Sequence, residues 1–63
     1  MQEFQQRVID EKAELDGKIE KLGVFLSSEV FDKLPRTHKE LLVIQWFTMT
    51  QYSDILSKRI ALF

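Results

Sequence analysis

Apolar residues recur at helical spacing through the first 26 residues of the chain. The steps between them are four, seven, four, three and four residues, which keeps them on one side of an α-helix. Charged and amide side chains occupy the opposite side, where Asp16 and Glu20 are four residues apart and predict a solvated face. The pattern predicts a helix over about residues 2–26, with an apolar stripe formed by Phe4, Val8, Leu15, Ile19, Leu22 and Leu26.

A short second helix and a long third one are predicted next. The serines at 27–28 offer N-caps for a helix over about residues 29–34, and Pro35 ends it because proline breaks a helix interior. The four residues that begin at Thr37, Thr-His-Lys-Glu, have the form of a capping box. No glycine or proline follows, so a long helix is predicted over about residues 38–62.

These elements predict an all-α protein: one domain, residues 1–63, folded as an antiparallel helical hairpin with a short intervening helix. The long helix is apolar around nearly its whole circumference from Leu41 to Phe63. A helix that is hydrophobic on more than one side must be covered on more than one side, and the first helix can cover only one. Because the chain is small and has no cysteine for disulfides, we expect the hairpins to assemble into a homo-oligomeric helical bundle.

Two polar residues, Gln45 and Arg59, interrupt the most apolar stripe of the long helix. Burying an amide and a guanidinium is costly unless both find partners. In one interpretation, Gln45 fixes the helix register and Arg59 bonds Glu11 or Glu14 across the hairpin. In the other, Gln45, Tyr52 and Arg59 are the polar members of an otherwise apolar ligand pocket. The stripe consists of Leu41, Gln45, Thr48, Tyr52, Leu56, Arg59 and Phe63.

Charged residues on the first helix allow the same two interpretations. Arg7 and Glu11 are four residues apart, as are Glu14 and Lys18, so each pair can form an intrahelical ion pair worth a few tenths of a kcal/mol. Alternatively, Arg7 and Lys18 point into a cleft between subunits and meet an anionic ligand.

A second apolar ribbon follows the other side of the long helix through Val43, Trp46, Phe47 and Thr50. Exposed apolar clusters of this size usually mark protein contacts, and aromatic side chains are favoured anchors in them. Methionine usually fills core or interface space. A cofactor-stacking role is the alternative for the ribbon, although no cofactor is expected. The predicted protein interface is Leu42, Val43, Trp46, Phe47 and Met49.

Composition narrows the classes of function. Nine Lys and Arg against ten Asp and Glu give a net charge of −1, without the positive excess that duplex nucleic-acid binding uses, and the basic residues are interleaved with acids. The apolar runs are too short and too often interrupted to span a bilayer, and the N-terminus lacks the order of a signal peptide. We therefore expect a soluble intracellular protein that binds neither duplex nucleic acid nor membrane.

Candidate chemistry is sparse. His38 is the only histidine and there is no cysteine, so no metal site is expected. Ser53 and Ser57 lie in the long helix without a nearby histidine, and the adjacent carboxylates Asp10 and Glu11 diverge by about 100° on a helix. We expect no enzymatic activity.

The chain resembles a group of very small phage-encoded helical-hairpin proteins related to a crAss-like phage protein family. The pattern in the first helix is Arg7-x3-Glu11-x3-Leu15-x2-Lys18-Ile19-x-Lys21-Leu22-x2-Phe25. In the long helix it is Leu41-Leu42-x2-Gln45-x3-Met49-x2-Tyr52-x3-Leu56-x2-Arg59-Ile60. Together the two patterns cover most of the chain.

This resemblance implies an accessory protein that is made in the cytoplasm of the infected bacterial host and counters host defence. Several compact helical phage proteins of this kind act as sponges, which oligomerise and enclose a nucleotide immune signal at subunit junctions. By analogy, the expected ligand is a cyclic nucleotide or a related small signal. The residues suited to its phosphates, base or ribose hydroxyls are Arg7, Lys18, Gln45, Tyr52 and Arg59.

Two other functions compete with sequestration. The ribbon around Trp46 and Phe47 would suit an inhibitor that binds a host defence or transcription protein. A structural oligomer of the virion is the third possibility, and the protein would then be found in purified particles.

Overall fold

Two long helices and one short helix form a hairpin. The computed structural model describes residues 1–63, with α1 at Glu3–Leu26, α2 at Glu29–Asp32 and α3 at Arg36–Ala61. Phe4, in the first turn of α1, packs against Phe63, just beyond α3, so the two long helices run antiparallel. The predicted all-α class and the pairing of two long helices are confirmed.

Local caps set where the last two helices begin. Ser28 starts α2, because its Oγ accepts a hydrogen bond of 3.2 Å from the backbone N–H of Phe31. The predicted capping box at Thr37 is wrong. Pro35 is the N-cap of α3, and its carbonyl oxygen accepts from the backbone N–H of Lys39 at 3.0 Å. Proline suits this position because its φ of −56° leads into a helix without strain and it has no N–H that needs a partner.

The apolar stripe predicted on α1 faces α3. Val8 is buried in it, and its members from Leu15 to Leu26 are half-buried. Phe4 remains mostly exposed, although its ring packs edge-on against Phe63 with 5.9 Å between ring centroids. The helix period therefore identified the correct face of α1.

The stripe predicted on α3 is displaced by one residue from the one that packs. Leu56 belongs to both stripes and is fully buried, whereas Gln45, Tyr52 and Arg59 are exposed. Both rows are spaced by threes and fours, so periodicity alone does not choose between them. The row that faces α1 is Leu42, Trp46, Met49, Ser53, Leu56 and Ile60.

The hairpin is long and thin. Its principal extents are 46 × 14 × 13 Å, and its Cα radius of gyration is 14.5 Å, against about 10.6 Å for a compact domain of this length. Only Val8, Ser53 and Leu56 are buried. None of the three helices combines the length and apolar character required to cross a membrane.

One side of α3 is left uncovered by this arrangement. It points away from α1 and carries large apolar side chains along nearly the whole helix. We call it the outer face; its apolar members are Leu41, Val43, Ile44, Phe47, Ile55 and Leu62.

Candidate functional site

The predicted ligand residues lie along one side of the hairpin. On α3 they are spaced by sevens, which places Gln45, Tyr52 and Arg59 in one row. The Tyr52 hydroxyl donates a hydrogen bond to Glu11 Oε2 on α1. This bond joins the row on α3 to the charged residues on the adjacent side of α1. We call the combined surface the polar edge; its members are Arg7, Glu11, Lys18, Gln45, Tyr52 and Arg59.

The polar edge is extended rather than convergent. Gln45 and Arg59 are fourteen residues apart on one helix, which corresponds to about 21 Å. All the predicted ligand residues are exposed. A small ligand on one hairpin would therefore touch only part of the predicted set.

Two cations of the polar edge have no carboxylate partner. The chain has four ion pairs, and neither Lys18 nor Arg59 takes part in any of them. Arg7 is engaged, since its Nη2 lies 2.6 Å from Glu3 Oε1. The predicted pairing of Arg7 with Glu11 is wrong, because Glu11 turns toward Tyr52 on the other helix.

The other ion pairs predicted for the polar edge are also absent. Arg59 bonds neither Glu11 nor Glu14, and Glu14 does not pair with Lys18. Glu11 already accepts a hydrogen bond from the Tyr52 hydroxyl. Exposed ion pairs add little to stability, because ordering two long side chains costs entropy. Lys18 and Arg59 therefore keep their hydrogen-bond donors free for an anion.

Electrostatics at the centre of the polar edge are set by Glu11. Its hydrogen bond with the Tyr52 hydroxyl raises the pKa of Tyr52 above its usual 10.0, desolvation and the negative charge of Glu11 add to that rise, and Arg59 opposes it. The phenol is therefore protonated at neutral pH and keeps its proton on the bond to Glu11. Farther along the edge, Gln45 Nε2 lies 3.8 Å from Met49 Sδ, a weak contact.

A partly buried polar cluster joins the two long helices, and no pattern in the sequence predicted it. Ser53 is buried and its Oγ donates to Asp16 Oδ1, while Lys12 Nζ lies 2.6 Å from Asp16 Oδ2. The hydrogen bonds from Lys12 and from Ser53 hold the pKa of Asp16 below its usual 3.8. Asp16 was predicted to lie on the solvated face of the first helix. Its contact with α3 could have been predicted only if the row that contains Ser53 had been identified as the packed face.

The predicted protein interface is divided between two sides of α3. Leu42, Trp46 and Met49 are half-buried in the stripe that faces α1. Trp46 packs so closely on α1 that its Nε1 lies 3.2 Å from the position of a β-carbon built on Gly23. Val43 and Phe47 remain exposed, at 47% and 56% of their full surface. Only these two members are available to a partner without opening the hairpin.

A shallow groove of about 710 Å³ lies where α2 meets α3. Its cations are already engaged: Arg36 Nε lies 3.0 Å from Glu40 Oε1, and Lys39 Nζ lies 5.8 Å above the centre of the Phe31 ring. No predicted ligand residue lines the groove, and no His, Cys, Asp and Glu side chains gather into a group that could hold a metal ion. The lining residues are Phe31, Arg36, Lys39, Glu40, Val43 and Ile44.

Comparison with known proteins assigns this chain to a family. A family model described as Sequestin matches residues 2–62. The "Uncharacterized 7.5 kDa protein in denB-rIIB intergenic region" of Enterobacteria phage T4 is 40% identical over 60 residues, which cover 95% of this chain and 94% of that protein. No solved structure gives a significant match. These matches show that the chain is similar to small phage proteins.

Proposed function

The chain belongs to the Sequestin family, and we propose that it acts in the infected bacterial host by binding and sequestering a small nucleotide-type immune signal, without turning it over. The proposal takes a homo-oligomer as the binding species. The family name points to sequestration, and the relative in a phage points to the setting. The observation that carries the ligand class is the polar edge, where two unpaired cations flank a tyrosine.

Each group of the polar edge matches a part of a nucleotide. Arg59 offers a planar fork of donors that fits a phosphate, and Lys18 offers a second point charge. Tyr52 presents a ring on which a base can stack, while its hydroxyl is fixed by Glu11. Gln45 has an amide that both donates and accepts, which suits a base edge or a ribose hydroxyl.

Oligomerisation supplies what a single hairpin lacks. Small-molecule sites are concave and bury most of the ligand, whereas the polar edge of one hairpin is exposed along about 21 Å. A second subunit set against this surface would wall in the ligand and shorten the distance between its polar groups. A bound signal would then be withheld from its host receptor.

Calorimetry with a panel of cyclic nucleotides tests the proposal. We expect saturable binding, weakened about tenfold or more in Arg59→Ala, because a hydrogen bond to a charged group is worth roughly 1.5–3 kcal/mol. Arg36→Ala is the matched control, since Arg36 is an exposed arginine away from the polar edge. Absence of binding heat across the panel at high protein concentration would remove the proposal.

Val43 and Phe47 support a second candidate, an inhibitor that binds a host defence or transcription protein. Their exposure on the outer face leaves an apolar anchor available. Phe47→Ala is the better test residue than Trp46→Ala, because Trp46 packs on Gly23 and its loss would disturb the hairpin. In the inhibitor hypothesis Phe47→Ala abolishes partner capture, whereas Arg59→Ala leaves partner capture intact.

A further inference from the structure

The outer face of α3 has the spacing of a helix that pairs with another helix. Its central row advances by alternate steps of three and four residues, with Gln51 near the middle. The apolar members of that row are all more than half exposed, and Leu62 reaches 87%. The row consists of Leu41, Ile44, Thr48, Gln51, Ile55, Lys58 and Leu62.

The hairpin exposes more surface than a folded monomer of its mass, and the excess is close to the area that one partner buries in a standard interface. The chain of 7.5 kDa exposes 5007 Å², whereas a folded monomer of that mass exposes about 4,250 Å². The excess of about 750 Å² is close to the roughly 800 Å² that each partner buries in a standard interface. The row extends along nearly the whole of α3, from Leu41 to Leu62, and a second copy of the chain carries a row of the same length.

We infer that the outer faces of α3 from two copies pair antiparallel about a two-fold axis near Gln51 and Tyr52, so that each subunit completes the polar edge of the other. The part of this inference that concerns a ligand rests on the proposed function. The pairing itself does not.

Charge and the helix dipoles favour the antiparallel direction. In a parallel pair Glu40 would face Glu40 and Lys58 would face Lys58 of the partner subunit, which is repulsive at both ends. In the antiparallel pair Glu40 lies about 9 Å along the helices from Lys58 of the partner subunit, so like charges no longer face each other, and the helix dipoles are opposed. Leu41 then lies opposite Leu62 of the partner subunit, beside the groove that Ile44 lines.

The same symmetry gathers the polar edges. A two-fold axis perpendicular to both helices leaves the two polar edges on the same side of the dimer. Residues whose numbers sum to about 104 then lie at the same level, so Tyr52 meets Tyr52 of the partner subunit. Gln45 meets the partner's Arg59 at each flank. Groups about 21 Å apart on one hairpin become neighbours across the interface.

Cysteine cross-linking tests the direction of pairing, because the natural chain contains no cysteine. We expect Gln51→Cys to form a disulfide between copies under mild oxidation, since the two positions meet at the axis. Ile44→Cys should not, because its two copies are separated by about 22 Å along the helices. Cross-linking of both variants would indicate a parallel pair and overturn the inference, as would cross-linking of neither.

Native mass spectrometry tests the surface itself. We expect twice 7.5 kDa for the natural chain and a folded monomer for Ile55→Asp, because the charge would be buried in the interface. Val24→Asp is the matched control: Val24 is 70% exposed on α1 and should leave the dimer intact. A natural chain that stays monomeric, or Ile55→Asp that stays dimeric, overturns the inference.

Nucleotide binding is measured separately on the same samples. A cross-linked antiparallel dimer that binds no nucleotide would contradict the proposed function and leave the pairing in place. Full nucleotide binding by the Ile55→Asp monomer would support the function and overturn the shared site.

Discussion

The indole Nε1 of Trp46 lies 3.2 Å from the place that a β-carbon on Gly23 would occupy. That spacing is tighter than ordinary van der Waals contact, so the absence of a side chain at Gly23 lets α1 and α3 approach. Gly17, six residues earlier on α1, has no neighbouring atom within 4 Å of the same position. Two glycines of one helix therefore have different roles.

Alanine substitutions separate these roles. Gly17→Ala should stabilise the hairpin by about 1 kcal/mol, because it improves helix propensity without a steric cost. Gly23→Ala brings the same propensity gain but forces the Trp46 ring to shift, so its net stabilisation should be smaller or reversed. Urea unfolding followed by circular dichroism measures both free energies. A larger gain from Gly23→Ala than from Gly17→Ala would contradict the close packing.

Tyr52 provides a pH-dependent readout of the polar edge. It is the only tyrosine, so ultraviolet absorbance of its phenolate reports one group, and we expect a pKa above 10.0 in the folded protein. Glu11→Gln should lower that pKa, because it removes the negative charge that disfavours the phenolate. A pKa unchanged by Glu11→Gln would show that the bond between these residues does not form in solution.

The alkaline stability follows from the same shift. A raised pKa in the folded state means that the contribution of Tyr52 is fully present below pH 10 and is lost as the pH rises through the folded value. Tyr52→Phe should remove this alkaline component. Denaturation midpoints compared between neutral and alkaline pH would fall less for Tyr52→Phe than for the natural chain; an equal fall would refute the assignment.

Asp16 should control stability at acidic pH. Its pKa is lowered by Lys12 and Ser53, so its contribution is present above about pH 4 and is lost as the pH falls through the lowered value. Ser53→Ala should reduce that acid dependence and cost about 1 kcal/mol at neutral pH, since it removes the partly buried hydrogen bond. Thermal unfolding across this pH range checks both effects, with Ser57→Ala as the exposed serine control.

Local signals in the sequence identified the helices but not the packed face of α3. Ser28 and the uninterrupted run to Phe63 are short-range features, and they predicted two of the elements. The stripe through Gln45 and Tyr52 and the stripe through Ser53 have the same period, and the second stripe carries a serine, a residue type that is mostly exposed in proteins. Asp16 satisfies that serine from another helix, a contact that no local pattern reports.

The polar edge could be predicted only as a set of residues. Steps of seven placed Gln45, Tyr52 and Arg59 on one side of α3 without the structure. The partner of Glu11 depends on which side of α1 faces that row. In the structure Glu11 bonds Tyr52 rather than Arg59. Only the packing of the two helices therefore shows that Lys18 and Arg59 have no carboxylate partner.

Leucine substitutions on opposite sides of α3 distinguish the core of the hairpin from the interface that we infer. Leu56 is 0% exposed and Leu62 is 87% exposed. Leu56→Ala should cost about 2–5 kcal/mol because it leaves a cavity in a core with few other buried side chains, and a protein of this size would lose most of its helical signal. This loss should not depend strongly on protein concentration.

Leu62→Ala should behave differently, since a single hairpin gives this side chain almost nothing to pack against. If two copies pair, the variant lowers the unfolding temperature at concentrations where the natural chain is dimeric, and the difference shrinks on dilution, where both chains become monomers. Differential scanning calorimetry over a wide range of protein concentration makes the comparison. Natural and Leu62→Ala chains with the same unfolding temperature at every concentration would show that Leu62 is as unpartnered in solution as it is in one hairpin.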